Sequence, residues 1–241
     1  MGQLPASSEK PQAVHSIFSS IAQKYDLAND LISFGQLHLW RKKAVKESLV
    51  KAGDHVLDVA TGTGDLALVF KKVVGESGRV IGVDFCQPML DYAPLKAKAK
   101  NLSIDFRLAD AMNLPYETAH FDCVSIAFGL RNVGDHLMAI TDMTRVLKPG
   151  GRLVILETGR SQIWFFRHLF DFYFKKVMPL LGGLLTGQKD AYQYLDQSSA
   201  AFPFGDQLVK TLQQTGLFAN VRATALVGGV SYIYVATKKS V

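Results

Sequence analysis

Cysteine is scarce in this chain. The 241 residues hold two, Cys86 and Cys123, and they form no C-x-x-C pair. That excludes a disulfide framework and points to a reducing compartment, with both thiols as small buried side chains. Long hydrophobic runs are absent too: none reaches the roughly 18 uncharged residues of a membrane-spanning helix. The N-terminal MGQLPASSEKP lacks the apolar core of a secretory signal. A soluble or peripheral cytoplasmic protein is therefore expected, facing the inner side of the membrane if it meets one. There is no internal repeat and no low-complexity linker. Nor is there a large charge of one sign: 27 Lys and Arg against 21 acids leave +6. Such an excess favours anionic surfaces without requiring one. At 48% hydrophobic and 20% charged residues, the composition excludes a disordered tail, a collagen-like repeat and a coiled coil. A single α/β domain can run to this length.

What is present is an ordered alternation. Residues 14–49 carry a helical pattern in which Ile17, Ile21, Leu27, Leu31 and Trp40 recur, while residues 1–11 read as frayed. Short apolar runs then alternate with helical stretches. Strands are predicted at 55–60, 79–85, 103–110, 121–128 and 151–158, and helices at 65–74, 89–100 and 136–147. Pro149-Gly150-Gly151 stops the last of these. This alternation argues for a parallel sheet covered on both faces. Residues 161–201 read as helical and aromatic, and a helix at 205–216 follows. Two final strands, 219–228 and 230–238, meet at Gly228-Gly229 as a hairpin. The chain thus reads as one domain over 1–241. It has N-terminal helices at 12–50, a cofactor-binding core at 51–160, a helical insertion at 161–201 and a closing helix and hairpin at 202–241.

The segment LDVATGTGDLA (57–67) leaves a strand and opens a helix, and Gly62, Gly64 and Ala67 fit G-x-G-x-x-G/A. Glycine allows the sharp turn and lets a ligand approach the backbone. Asp84, twenty residues past Gly64, ends the second strand, where a carboxylate can accept hydrogen bonds from both hydroxyls of a ribose. Charge separates two cofactor classes. Asp58 and Asp65 flank the glycines and would repel a pyrophosphate by several kcal/mol at intermediate dielectric. S-adenosylmethionine has no phosphate and carries an ammonium and a sulfonium. It is the expected cofactor; Asp58 also reads as a solvated strand-end residue. Asp110 and Ala111 close the third strand, beside an adenine in this layout. Asp110 is either an acceptor for the exocyclic amine or a helix cap. Met89 is either a contact for the ring face or plain core.

These segments resemble the ubiquinone/menaquinone biosynthesis C-methyltransferase family. The resemblance is carried by VHSIFSSIAQKYDLANDLISFG (14–35), LDVATGTGDLA (57–67), GVDFCQPML (82–90), IAFGLRNV (126–133), RVLKPGGRLVILE (145–157) and AYQYLDQS (191–198). It implies a Rossmann-like methyltransferase with a seven-stranded, mostly parallel sheet, an antiparallel terminal hairpin, an N-terminal helical lid and a helical insertion. It implies methyl transfer from S-adenosylmethionine to a ring carbon of a polyprenylated hydroquinone, with cofactor contacts at Thr63, Asp84, Asp110, Ala111 and Ala127. Several relatives carry Ser where Ala127 stands. Leu37, His38 and Tyr234 also depart from the family pattern, which has His, Arg and His there. No metal site, RNA-binding module or nucleic-acid partner is expected, and a homodimer is left open.

The reaction requires an ionised ring hydroxyl and an in-line approach at roughly 3–3.5 Å. Arg131 and Asn132 follow the fourth strand, where the acceptor meets the methyl group in this layout. Arg131 is the candidate for stabilising the phenolate, Asn132 for orienting a hydroxyl or water, and Tyr25 for covering the ring. The alternatives are a loop-fixing salt bridge for Arg131 and simple packing for Tyr25. In WFFRHLFDFYF (164–174), seven of eleven residues are aromatic, with Arg167, His168, Asp171 and Lys175 as one polar stripe. This helix is either buried or meets a prenyl tail and the bilayer interface. Lys175-Lys176 and Arg41-Lys42-Lys43 would then attract anionic lipid.

Overall fold

A computed structural model describes residues 10–161 and 163–240, without some side chains of the insertion. The alternation becomes a seven-stranded sheet. Its strands are β1 (His55–Val59), β2 (Arg79–Asp84), β3 (Asp105–Leu108), β4 (Phe121–Ala127), β5 (Leu147–Thr158), β6 (Phe218–Leu226) and β7 (Ser231–Lys238). They lie in the order β3-β2-β1-β4-β5-β7-β6. The first five are parallel, and β7 runs antiparallel between β5 and β6. Strand order reverses between β1 and β4, which opens a crevice at their carboxyl ends.

The period of two decides which side chains meet which helices. Leu57, Ile81, Val124 and Ile155 pack with Ile140 and Met143 of α7 (His136–Val146) and with Leu208 and Leu212 of α11 (Asp206–Gln214). Their neighbours Val56, Val80, Cys123 and Val154 face the other way. They meet Val45 of α3 (Gln36–Ser48) and Phe70 of α4 (Asp65–Val74). Phe70 is fully buried, so truncation to Ala would cost about 3–5 kcal/mol.

The N-terminal pattern forms α1 (Lys10–Ile21), α2 (Tyr25–Ile32) and α3. Helix therefore begins within the segment read as frayed. Leu27 and Leu31, counted in the helical pattern, turn outward at 59% and 50% exposure. In so short a helix Ala28 alone is fully buried, with Tyr25 and Ile32 beside it. The helix expected at 89–100 is broken into α5 (Gln87–Leu90) and α6 (Tyr92–Ala99). Pro94 has no N–H for the Leu90 carbonyl and crowds it, so the ladder stops there. The turn at Pro149 lies inside β5, which pairs again with β4 from Arg152.

The insertion folds into α8 (Trp164–Phe172), a π-helical turn at Tyr173–Val177, α9 (Met178–Thr186) and α10 (Lys189–Ala201). It packs on the N-terminal helices through Ile21, Ala28, Met178 and Ala191. The Tyr173 hydroxyl donates to the Ile32 carbonyl at 2.6 Å. The side chains of Phe165, Phe166, Asp171, Phe174 and Lys175 lie outside the described part, so the polar stripe expected there is not traced. No helix of the described residues is long and apolar enough to cross a membrane.

Candidate active site

Beyond β1 the chain turns through left-handed backbone at Ala60 and Gly62, with φ of 52° and 56°. A Cβ on Gly62 would stand 3.4 Å from the Met89 methyl, and one on Gly129 only 2.5 Å from the Ala60 Cβ. Glycine is what lets the ends of β1 and β4 approach one another. Asp84 ties the turn down: Oδ2 accepts from the Gly62 N–H at 2.7 Å and Oδ1 from the Cys86 N–H at 2.9 Å. Burial pushes its carboxyl up, against the pull of those N–H donors.

A cleft runs along these strand ends. Its wall includes Gly62, Asp84, Met89, Asp110, Ala111 and Ala127, and Asn132 lies at the β4 side. Pro11, Val14 and Phe18 of α1 close it from outside. Asp110 spends one oxygen on the Met112 N–H at 2.8 Å, as a turn cap does, and still lines the cleft. Thr63 and Gly64 lie beside the cleft rather than in its wall. The Thr63 hydroxyl donates to Asp26 of α2 at 2.6 Å.

Neither Asp58 nor Asp65 is in the lining of the cleft. Asp58 is neither solvated nor open to the cleft. It is buried under the turn and accepts from Thr61 and Ser125, each at 2.7 Å. Burial pushes its carboxyl up to about 6. Asp65 pairs with Arg41 at 2.9 Å and with Lys96, which also holds Asp26 at 2.6 Å. Burial alone would raise the Asp65 carboxyl, but the two cations outweigh it and hold it below the usual range. Both acids serve the frame, and Asp84 and Asp110 are the carboxylates in the cleft wall. Arg41 is 7% exposed, so it is no part of a lipid-facing basic cluster.

A second, larger cavity of about 490 Å³ adjoins the cleft and shares Phe18, Tyr25 and Phe128 with it. Its lining is mostly apolar and comes from the N-terminal helices, the insertion and β7. Leu37 is in that lining, so the departure from His makes the cavity less polar. Tyr234 is instead fully buried in the core, where its hydroxyl accepts from the Gly205 N–H at 2.6 Å. His38 pairs with Asp30 at 2.8 Å.

Arg131 and Asn132 part ways at the shared wall. Arg131 lines the large cavity and Asn132 the cleft. Arg131, 4% exposed, binds Glu157 at 2.5 Å and the Phe128 carbonyl at 2.7 Å through Nη1. The salt bridge and the cavity position therefore coexist. Tyr25 lines both chambers, and burial raises its hydroxyl. Sequence reasoning missed Tyr194 of α10, which donates to Asn132 Oδ1 at 3.2 Å and lines the cavity. Its AYQYLDQS segment was a visible signal. Ser231, which lines the cavity, gave none, since nothing local marks a strand-end side chain as cavity-facing.

The cleft offers a buried carboxylate at Asp84, side chains of Met89 and Ala111 in its wall, and a glycine turn without side chains. The comparisons identify the family. The ubiE/COQ5 methyltransferase family matches residues 6–238. A ubiquinone/menaquinone biosynthesis C-methyltransferase, UbiE, of Bdellovibrio bacteriovorus is 48% identical over 96% of this chain and 98% of its own. A demethylmenaquinone methyltransferase of Staphylococcus saprophyticus is 43% identical over 95% and 97%. In fold, a SAM-dependent methyltransferase of Aquifex aeolicus superposes with a TM-score of 0.60 at 20% identity, over 88% of this chain and 97% of that one. The chain belongs to the ubiE/COQ5 methyltransferase family and is an S-adenosylmethionine-dependent methyltransferase of quinone biosynthesis.

Proposed function

We propose that the protein methylates a ring carbon of a polyprenylated hydroquinone, converting demethylmenaquinol to menaquinol. One observation carries this reading: an apolar cavity of about 490 Å³ meets the cofactor cleft across Tyr25 and Phe128, with the buried Arg131 in the cavity's lining. Asp84 holds the ribose, Asp110 and Ala111 face the adenine, Met89 packs on it, and Ala127 offers backbone alone. Thr63 and Gly64 act indirectly, by shaping the turn. The cofactor, when bound, would supply an electrophilic methyl group.

The chain's own groups then prepare the acceptor. Arg131 stabilises the ionised ring hydroxyl, which pushes electron density onto the adjacent carbon. Glu157 and the Phe128 carbonyl hold the guanidinium in place. Asn132, fixed by Tyr194, orients a hydroxyl or a water, and Tyr25 covers the ring. A charged Arg cannot be the base, so a carboxylate or a relayed water takes the proton.

The tail needs an apolar route. Leu27, Leu31 and Phe34 on the N-terminal side and Trp164, Phe172 and Leu180 on the insertion are all at least half exposed. Phe34 also lines the cavity and its ring meets Tyr173. This surface supports transient contact with a membrane, where each buried CH₂ contributes about 0.8 kcal/mol. The acceptor ring is tested by mass spectrometry of the quinone pool after gene deletion. Demethylated naphthoquinone should accumulate. Loss of a methyl from the benzoquinone, which the name of the Bdellovibrio relative includes, would move the activity to that ring or to both. An unchanged pool would refute the proposal.

A further inference from the structure

Asp26 stands in the first turn of α2, where a carboxylate ordinarily serves the free N–H groups of its own helix. Here both oxygens leave the helix. Oδ1 accepts from the Thr63 hydroxyl at 2.6 Å and Oδ2 from Lys96 at 2.6 Å. The Thr63 hydroxyl also accepts from Lys96 at 3.0 Å, so it both donates and accepts within the cluster. Lys96 then reaches Asp65, where α4 begins, and Asp65 holds Arg41 at 2.9 Å. Two cations and two carboxylates thus balance across α2, α3, α4 and α6. The cluster touches both chambers. Thr63 follows Gly62 in the cofactor turn, and Arg41 lines the apolar cavity. Tyr25, the chain neighbour of Asp26, lines both.

We infer that Asp26 is a positioning residue: by bonding Thr63 and Lys96 it sets Tyr25 in register with the cofactor turn. This rests on the hydroquinone reading, in which the two chambers take the methyl donor and its acceptor. The apolar contacts of α2, through Ala28, Tyr25 and Ile32, tie it to the insertion, and such packing is non-directional. The bonds of Asp26 tie it to the cofactor turn and to α6. The Asp26 side chain is 38% exposed, so its ion pair adds little to stability. Its consequence is geometric. A shift of about 1 Å at a reacting centre costs on the order of a hundredfold in rate, and Tyr25 stands where the two chambers meet. Asp26 itself lines neither chamber and acts through its neighbour.

The test is a double-mutant cycle on turnover of demethylmenaquinol at saturating S-adenosylmethionine, with cofactor binding read separately by calorimetry. Asp26→Ala should lower kcat roughly tenfold and leave the cofactor Kd within about twofold. Tyr25→Ala should lower kcat at least as far. The double variant should be no slower than Tyr25→Ala alone, because the residue that Asp26 positions is already gone. Thr63→Val is nearly isosteric and keeps the test open if Asp26→Ala fails to fold. It should lose turnover as Asp26→Ala does, and Thr63→Ser, which keeps the hydroxyl, should restore it. A merely structural role would lower Tm and leave the kcat of the folded protein unmoved. Unchanged kcat in any of the three single variants, or additive losses in Tyr25→Ala and Asp26→Ala, would overturn the inference, while turnover by the parent keeps the hydroquinone reading standing. A parent that does not methylate the quinol brings down both.

Discussion

Replacing Glu157 by Gln separates the two roles that the structure gives Arg131. Glu157 is fully buried and accepts from the Arg131 N–H at 3.3 Å, from Arg131 Nη1 at 2.5 Å and from the Thr158 N–H at 2.8 Å. Glu157→Gln keeps the shape and removes the countercharge, so a guanidinium whose side chain is 3% exposed is left unpaired. Breaking such a pair costs about 3 kcal/mol, which for a chain of this length lowers Tm by roughly 6–12 °C. Arg131→Ala strands the carboxylate and should cost a similar amount. Replacing both by Leu removes two buried charges together and should restore most of the stability. Activity should not return with it, because the group that stabilises the phenolate is gone. Thermal unfolding followed by circular dichroism and turnover at saturating cofactor measure the two sides. A double Leu variant that is both stable and active would refute the catalytic role of Arg131 and leave a loop-fixing salt bridge. A Glu157→Gln variant with unchanged Tm would refute the buried pair.

The other expectations follow from the same contacts. Asp84→Ala should weaken S-adenosylmethionine by about 1.5–3 kcal/mol in calorimetry; unchanged affinity in a folded variant removes Asp84 from the site. Asp58 holds its proton more tightly folded than unfolded, at about 6. Its burial penalty is therefore full above pH 6 and is relieved as pH falls toward 4. The difference amounts to about 3 kcal/mol. In urea unfolding across that range, Asp58→Asn should lose this component, and parallel curves for the two proteins would contradict the assignment. Lys96→Met removes the cation shared by Asp26 and Asp65. Amide exchange in α2 should quicken roughly tenfold with global stability little changed, whereas unaltered exchange would mean that this cluster does not hold the helix. Pairing Trp164→Ser with Phe172→Ser should reduce co-sedimentation with anionic vesicles and raise KM for a long-tailed quinol more than for a tail-less one; equal effects on both substrates would detach this surface from the tail.

The sheet was legible in the sequence because the two-residue period is a local property. Val56 and Leu57, or Val80 and Ile81, declare opposite faces without any knowledge of the fold. The glycine turn with Asp84 was legible for a similar reason: a left-handed φ at Gly62 and a strand-end carboxylate are fixed by chain geometry. The meaning of Asp58 and Asp65 was not. Whether an acid meets a ligand or a lysine depends on α3 and α6, which approach from distant parts of the chain. The outward turn of Leu27 and Leu31 was hidden because apolar residues on both faces of a two-turn helix look like a core helix. The cavity was hidden as well. Its polar lining includes Asn29, Arg131, Thr158 and Ser231, about 200 residues apart at the extremes, and only tertiary packing brings them to one space.

The central claim is methyl transfer to a hydroquinone ring carbon, and the purified protein can answer it directly. It is incubated anaerobically with demethylmenaquinol and S-adenosylmethionine bearing a deuterated methyl group, and the product is read by mass spectrometry and carbon NMR. The account expects one intact deuterated methyl on the ring carbon beside a hydroxyl, with label lost when Arg131 is replaced by Ala. Label on a ring oxygen, or none with either the naphthoquinol or its benzoquinol counterpart, would contradict it.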